Sequence, residues 1–283
     1  MREKFGTLDV IVLILMVLAI VVTLYPALIM LAGSLSNPML VIQNKVGIIP
    51  KGINFGNYIY VFQMSSIWRS YLNTIIYTVV GTAFGTALTV LTAYPLSRKR
   101  FVGRHFFNKL ILFTMIFGGG LIPTFLTVRS LGWVGTIWAV CIPGCTGAWY
   151  VILARTFFES IPDSLEESAK IDGASDPVVL MKIVLPLSAP IVATLALFIS
   201  VVYWNDFLTP LIYLNDSSMY PMSLLLQKIL LLGQSESESG VGGVSSLAIN
   251  YTCIIVATLP IVLVYPFIQK YFTQGIMVGS IKG

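Results

Sequence analysis

Apolar residues in this chain come in long, nearly unbroken runs separated by short polar stretches, not in the narrow stripes of a soluble amphipathic fold. Six runs stand out, at about 9–33, 70–96, 109–128, 134–157, 187–214 and 247–271. A helix of ~20 apolar residues crosses a hydrocarbon core roughly 30 Å thick, so each run predicts one crossing. The predicted fold is therefore an all-α integral membrane protein, a single transmembrane domain over residues 1–283 with six spans. Arg2 and Lys4 precede the first run as they would in a signal peptide. Its apolar stretch from Val10 to Ala32 exceeds the ~7–15 residues of a cleaved segment, so it reads as an uncleaved span.

The runs carry breakers. Gly118, Gly119, Gly120 and Pro123 interrupt the third, and Pro143, Gly144 and Gly147 the fourth. Pro190 and Pro210 bracket the fifth, and Pro260 and Pro266 fall in the sixth. These predict kinked or broken helices, because irregular backbone at membrane depth survives only where protein covers it or water lines it. Such breaks serve either close packing or a substrate path.

Composition agrees with the pattern. The 283 residues are 57% hydrophobic and only 10% charged, against about 25% charged in soluble domains. The net charge of +5 has a topological reading. With the N-terminus inside, Arg2, Lys4, Arg98, Lys99, Arg100, Arg104, Lys109, Arg155, Lys170, Lys182, Lys270 and Lys282 fall on the cytoplasmic side. Only Lys45, Lys51, Arg69, Arg129 and Lys228 fall outside. This bias predicts that both termini are cytoplasmic and that the basic excess needs no nucleic-acid partner.

The longer outer connections are 34–69, rich in aromatic residues suited to an interface, and 215–246. The second ends in Gly233-Gln-Ser-Glu-Ser-Glu-Ser-Gly-Val-Gly-Gly243, a flexible composition that packs no core. No stretch is large enough for a soluble domain, and there is no internal repeat.

A search for catalytic chemistry returns little. His105 is the single histidine, and the chain has no H-E-x-x-H, G-x-S-x-G or G-x-x-x-x-G-K-[ST] motif. Cys141, Cys145 and Cys253 lie within apolar runs and read as small packing residues. No catalytic, cofactor or metal site is expected, and without a phosphate loop the chain does not hydrolyse ATP itself.

One polar element stands apart, at 162–186 between the fourth and fifth spans, on the cytoplasmic side. Ser164 with Glu167, or Asp163 with Glu166, has the spacing of a capping box. Gly173 suits the left-handed residue that ends a helix. Ser175 or Asp176 can then cap a second helix with Pro177 at its first position, and Pro186 marks the return to the membrane.

Glu167-Ser-Ala-Lys-Ile-Asp-Gly-Ala174 followed by Ile183-Val-Leu-Pro186 resembles the cytoplasmic "EAA" signature of binding-protein-dependent ABC importer permeases. Tyr203-Trp-Asn-Asp-Phe207 with Pro210 resembles the fifth helix of the carbohydrate-uptake branch. Gly275–Gly283 resembles the tail of its maltose-permease-like "G" subunits. Ser168 stands where the signature usually has Ala.

The resemblance implies a coupling helix over 164–173 that docks on a separate ATPase. The coupling residues it implies are Glu166, Glu167, Ser168, Ala169, Asp172, Gly173 and Ala174. The tail would lie near the ATPase dimer, whose subunits bind ATP and Mg; this chain itself binds no cofactor. The further partners it implies are a second, different permease subunit, an extracytoplasmic solute-binding protein, a sugar or oligosaccharide and the lipid bilayer. The location it implies is the bacterial cytoplasmic membrane. Gly118-Gly-Gly-Leu-Ile-Pro-Thr-Phe125 looks like a subgroup handling larger, including acidic, oligosaccharides.

Asp206 within a span is costly, ~2.5–3.5 kcal/mol at a helix centre, and should face the bundle or a cavity. Asn205 and Asp206 either hold a helix bend through hydrogen bonds or touch sugar. Tyr203 and Trp204 offer faces for stacking, and Asn250, Tyr251 and Asn73 are candidates for the same path. An ion-coupled secondary transporter is the alternative; it explains the broken helices and Asp206 but leaves the 162–186 element without a purpose. A membrane-embedded enzyme is disfavoured by the lack of any nucleophile–base or metal constellation.

Overall fold

The computed structural model describes residues 6–239, 247–263 and 266, and all regular structure in them is helical. The principal helices are α1 (Thr7–Ser34), α2 (Ser65–Ser97), α3 (Arg104–Ile116), α4 (Leu121–Ser130), α5 (Ala148–Glu159), α6 (Asp163–Ile171), α7 (Asp176–Val179), α8 (Ala189–Asn205), α9 (Leu208–Tyr213), α10 (Met222–Ser239) and α11 (Leu247–Leu263). Of these, α1 and α2 are each long and apolar enough to cross a membrane. The bent pairs α3–α4 and Asp176–Leu187 with α8 raise the number to four if each pair is one span.

The predicted run at 109–128 is a pair bent by 113°, broken where Gly118–Gly120 offers no side chain to hold a helix and Gly120 takes φ +82°. The run at 134–157 divides into a short turn at Ile137–Cys141 and α5, with Pro143, Gly144 (φ +75°) and Gly147 between them. Helix α10 reaches Ser239, further than the Gly/Ser-rich composition from Gly233 predicts. The last residues of the sixth run and the Gly275–Gly283 tail lie outside the described residues.

Two compact units are distinguished, Met1–Trp68 with Leu225–Val262, and Arg69–Leu224 with Leu263–Gly283. In the first, α1 exposes apolar side chains over 8–28, a surface suited to lipid or to another helix. The end of α1 is tied to the loop that follows. Ser36 Oγ donates to Ala32 O and accepts from Lys51 N, and Ser34 Oγ lies 2.8 Å from Tyr58 Oη. Gly33 admits the ring of Tyr251, since a Cβ there would lie 2.5 Å from Tyr251 Cδ2.

The second unit is organised on α2. A Cβ on Gly85 would sit 2.1 Å from Cys145 O, and one on Gly81 would sit 2.4 Å from Tyr203 Cζ. Two glycines one turn apart thus let α2 approach α8 and the 142–147 break closely, as small residues do between membrane helices. Thr89 and Thr146 hydroxyls meet at 2.8 Å on the same seam. Further along, Ala93, Ala154, Phe158, Val179, Val184 and Leu195 form a fully buried core beneath α6 and α7.

Candidate functional site

The 162–186 element belongs to the second unit. Helix α6 begins after Pro162 without a side-chain cap, so neither capping box forms. Asp163 and Glu166 occupy its first turn, where negative charge complements the helix dipole. The other end follows the expectation. Gly173 takes φ +81°, its N–H donates to Lys170 O, and Ala174 N–H donates to Ala169 O at 2.9 Å. This is a Schellman motif, which requires a left-handed residue that only Gly adopts cheaply. Helix α7 then starts at Asp176, with Pro177 one position later than expected and no side-chain cap at Ser175.

The segment Leu180–Val184 is a π-helical turn. Pro186 explains it, because its ring crowds the carbonyl four residues earlier and it has no N–H to return. A wider turn relieves both. After Leu187 the chain bends by 84° at Ser188 into α8, where Pro190 repeats the same obstruction.

Helix α6 presents two faces. Glu166 is buried at the inner one, its side chain 7% exposed beside the 5% exposed side chain of Arg98 at the end of α2. Arg98 Nη2 comes 2.8 Å from Glu166 Oε1 and Nη1 comes 3.8 Å from Asp163 Oδ1. The closer approach is off the hydrogen-bonding direction, so charge rather than a directed hydrogen bond holds the pair. Burial pushes the Glu166 carboxyl above its usual range, and the Arg98 and Arg100 charges only partly oppose that. The Arg98 guanidinium also lies 5.2 Å from the centroid of the Tyr94 ring.

Two outer pairs flank this one. Arg100 meets Asp176, which also takes Lys170 Nζ at 3.0 Å, and Arg104 meets Glu159, which also takes Arg155 Nε at 3.0 Å. On the opposite face Glu167, Ser168 and Asp172 are exposed, with Leu165 at 43% and Ile171 at 87% exposure. Ala169 and Ala174 are half-buried against the core. The sequence-derived coupling residues therefore divide, Glu166 inward and the others at or near the surface. The partners Arg98 and Tyr94 were missed. Their signal was an acid on the same helix face as Ala169 and Gly173, opposite the basic 98–104 turn.

The residues read as a substrate path are mostly engaged within the chain. Asn73 spends its amide hydrogens on Ser218 O (2.8 Å) and Tyr220 O (3.2 Å), and Met222 N donates to Thr74 Oγ1 at 2.8 Å. Arg69 and Tyr77 donate to the same 218–219 carbonyls. The carboxylate of Asp206 accepts from Thr209 N at 3.1 Å, and its carbonyl accepts from Ser223 Oγ. Tyr203 is buried with its hydroxyl on Cys141 O. Asn205 is exposed and turns back to Val201 O, while Trp204 is half-buried. Asn250 and Tyr251 are half-buried in the other unit.

Among the described residues no cluster of His, Cys, Asp or Glu has the makings of a metal site, and Cys141, Cys145 and Cys253 are unbridged. The arrangement is a charged bracket holding a small helix with one face outward.

A family model described as "Binding-protein-dependent transport system inner membrane component" matches residues 52–278. The chain is 43% identical over 263 residues to the polygalacturonan/rhamnogalacturonan transport system permease protein YtcP of Bacillus subtilis (strain 168), covering 91% of this chain and 92% of that protein. It is 40% identical over 266 residues to Protein LplC of the same organism, covering 93% and 90%. A chain in the crystal structure of a bacterial ABC transporter involved in the import of the acidic polysaccharide alginate superposes with a TM-score of 0.87 at 32% identity, over 96% of this chain and 99% of that one.

Proposed function

This chain belongs to the family of binding-protein-dependent transport system inner membrane components, and on that premise we propose that it is one of two different permease subunits of an ATP-driven importer of acidic oligosaccharides. The single observation that carries the mechanism is the outward face of α6, where Ile171 and Leu165 stand exposed beside Glu167 on a short helix braced from behind. Exposed large apolar residues on an ordered polar helix mark a surface that another protein covers.

In this reading that protein is an ATPase dimer, which holds ATP and Mg, and α6 is the coupling helix. Residues 1–283 form one transmembrane domain with six crossings, the broken runs counting as spans, and both termini lie in the cytoplasm of a bacterial cell. A solute-binding protein delivers the sugar from outside. Closure of the ATPase dimer moves α6 and reorients the membrane helices, the kind of rigid two-state movement that carries a distant event. The acidic substrate class is supported by the polyuronide named for YtcP, the alginate named for the structural neighbour and the Gly118–Phe125 segment.

Uptake of labelled galacturonate and alginate oligomers by proteoliposomes holding the full complex tests this. ATP hydrolysis should drive uptake, and dissipating proton and sodium gradients should leave it unchanged. Gradient-driven uptake without ATP would contradict the proposal and return the ion-coupled alternative.

A further inference from the structure

Resting on the coupling role proposed for α6, we propose that Arg98 is a positioning residue that locks α6 to the end of α2, so that the two move as one body through the transport cycle. Helix α6 is nine residues long and is joined to its neighbours through Ser160–Pro162 on one side and Gly173–Ser175 on the other. The Schellman motif at Gly173 closes the helix on itself and makes no bond to α2, so these connections constrain the orientation of α6 on α2 weakly. What fixes the inner face is the Arg98–Glu166 pair, the one ion pair among the described residues with both side chains buried.

Burial decides why this pair matters and its neighbours matter less. The Arg100–Asp176 pair is half-exposed, with solvent free to replace either partner. Separating Arg98 from Glu166 would leave two opposite charges in a site with almost no water, a strongly unfavourable state. The pair therefore behaves as a rigid joint. A push on the outward face of α6 is delivered through Glu166 to Arg98 and the end of α2, in parallel with the covalent route through α7 and the π-helical turn to α8. Tyr94, one turn before Arg98 on α2, stacks under the guanidinium and fixes its reach from the α2 side.

The test uses the assembled complex in proteoliposomes and reads sugar taken up per ATP hydrolysed. A purely structural role lowers uptake and hydrolysis together and leaves that ratio unchanged. Arg98→Gln should lower the ratio about tenfold, within the usual range of coupling energies. Arg98→Lys should recover much of it, and the exchanged pair Arg98→Glu with Glu166→Arg should recover it in part.

A second measurement keeps Arg98 in place. Spin labels at Lys99→Cys and Ser164→Cys, on exposed positions flanking the joint, report its span in the nucleotide-free and nucleotide-trapped states. The distance should hold within about 2 Å, whereas a joint that opens would shift it by about one helical turn, ~5 Å. If Arg98→Gln fails to assemble, this distance decides alone. A wild-type ratio in Arg98→Gln, or a distance that opens, overturns the proposal. Uptake by the wild-type complex that needs no ATP overturns the coupling role itself, which the same preparation shows separately.

Discussion

The hydroxyl of Tyr203 donates a 2.7 Å hydrogen bond to the carbonyl oxygen of Cys141, where the turn Ile137–Cys141 ends. In an unbroken helix that carbonyl would accept from Cys145 N–H, which here donates to Ile142 instead. Pro143 and Gly144 force the break, and Tyr203 supplies the donor that the backbone withdraws. A side chain committed in this way is part of the scaffold. The aromatic face read from sequence as a sugar platform is packed against Gly81.

Tyr203→Phe should therefore lower the stability of the protein by about 1–3 kcal/mol, the cost of an orphaned buried carbonyl. Thermal unfolding in detergent checks this. An unchanged melting temperature together with weakened sugar uptake would return Tyr203 to the substrate path.

The seam between α2 and its neighbours makes a sharper prediction. Gly85→Ala places a methyl where a backbone oxygen already stands, so the helix itself must shift, at a cost of about 1–3 kcal/mol. Gly118→Ala meets nothing within 4 Å and should stay within about 0.5 kcal/mol of wild type. Paired melting curves separate the two, and equal effects would mean that the close approach at Gly85 is not a constraint.

Asp206→Ala removes the acceptor for Thr209 N–H at the start of α9. Loss of such a cap costs about 0.5–2 kcal/mol. The expected outcome is reduced stability with uptake per folded molecule close to wild type, measured by normalising transport to folded protein. A loss of uptake at full stability would point to direct sugar contact.

Glu166 gives a pH dependence with a definite sign. Its carboxyl is raised above the ordinary value of 4.5 by burial, so the folded state holds the proton more tightly than the unfolded chain. Its contribution to stability is fully present below that ordinary value and is lost as pH rises through the raised one. The melting temperature of wild type relative to Glu166→Gln should therefore fall as pH rises above the ordinary value of 4.5. A difference that grows in favour of wild type with rising pH would mean that attraction to Arg98 outweighs burial.

Much of this was legible in the chain because membrane physics writes long signals. The apolar runs, the breaks at Gly118–Gly120 and Pro143–Gly147, and the left-handed Gly173 follow from single residues and local backbone rules. The helix starts were less legible. The Asp163 and Glu166 carboxylates that looked like caps are drawn to Arg98, 65 positions or more away in sequence, and local spacing carries no trace of that. The same limit applies to Asn73 and to the carbonyl of Asp206, whose partners Ser218, Tyr220 and Ser223 lie at and just before the start of α10, which only the fold brings near.

The most direct measurement is the ratio of oligosaccharide imported to ATP hydrolysed by the reconstituted complex carrying Glu167→Lys. Glu167 stands exposed on the outward face of α6, away from the buried bracket, so the variant should insert and assemble as wild type does. Import should fall by about tenfold or more while hydrolysis continues, as expected when a coupling contact is lost. Import at the wild-type ratio would contradict the claim that α6 is where the ATPase takes hold.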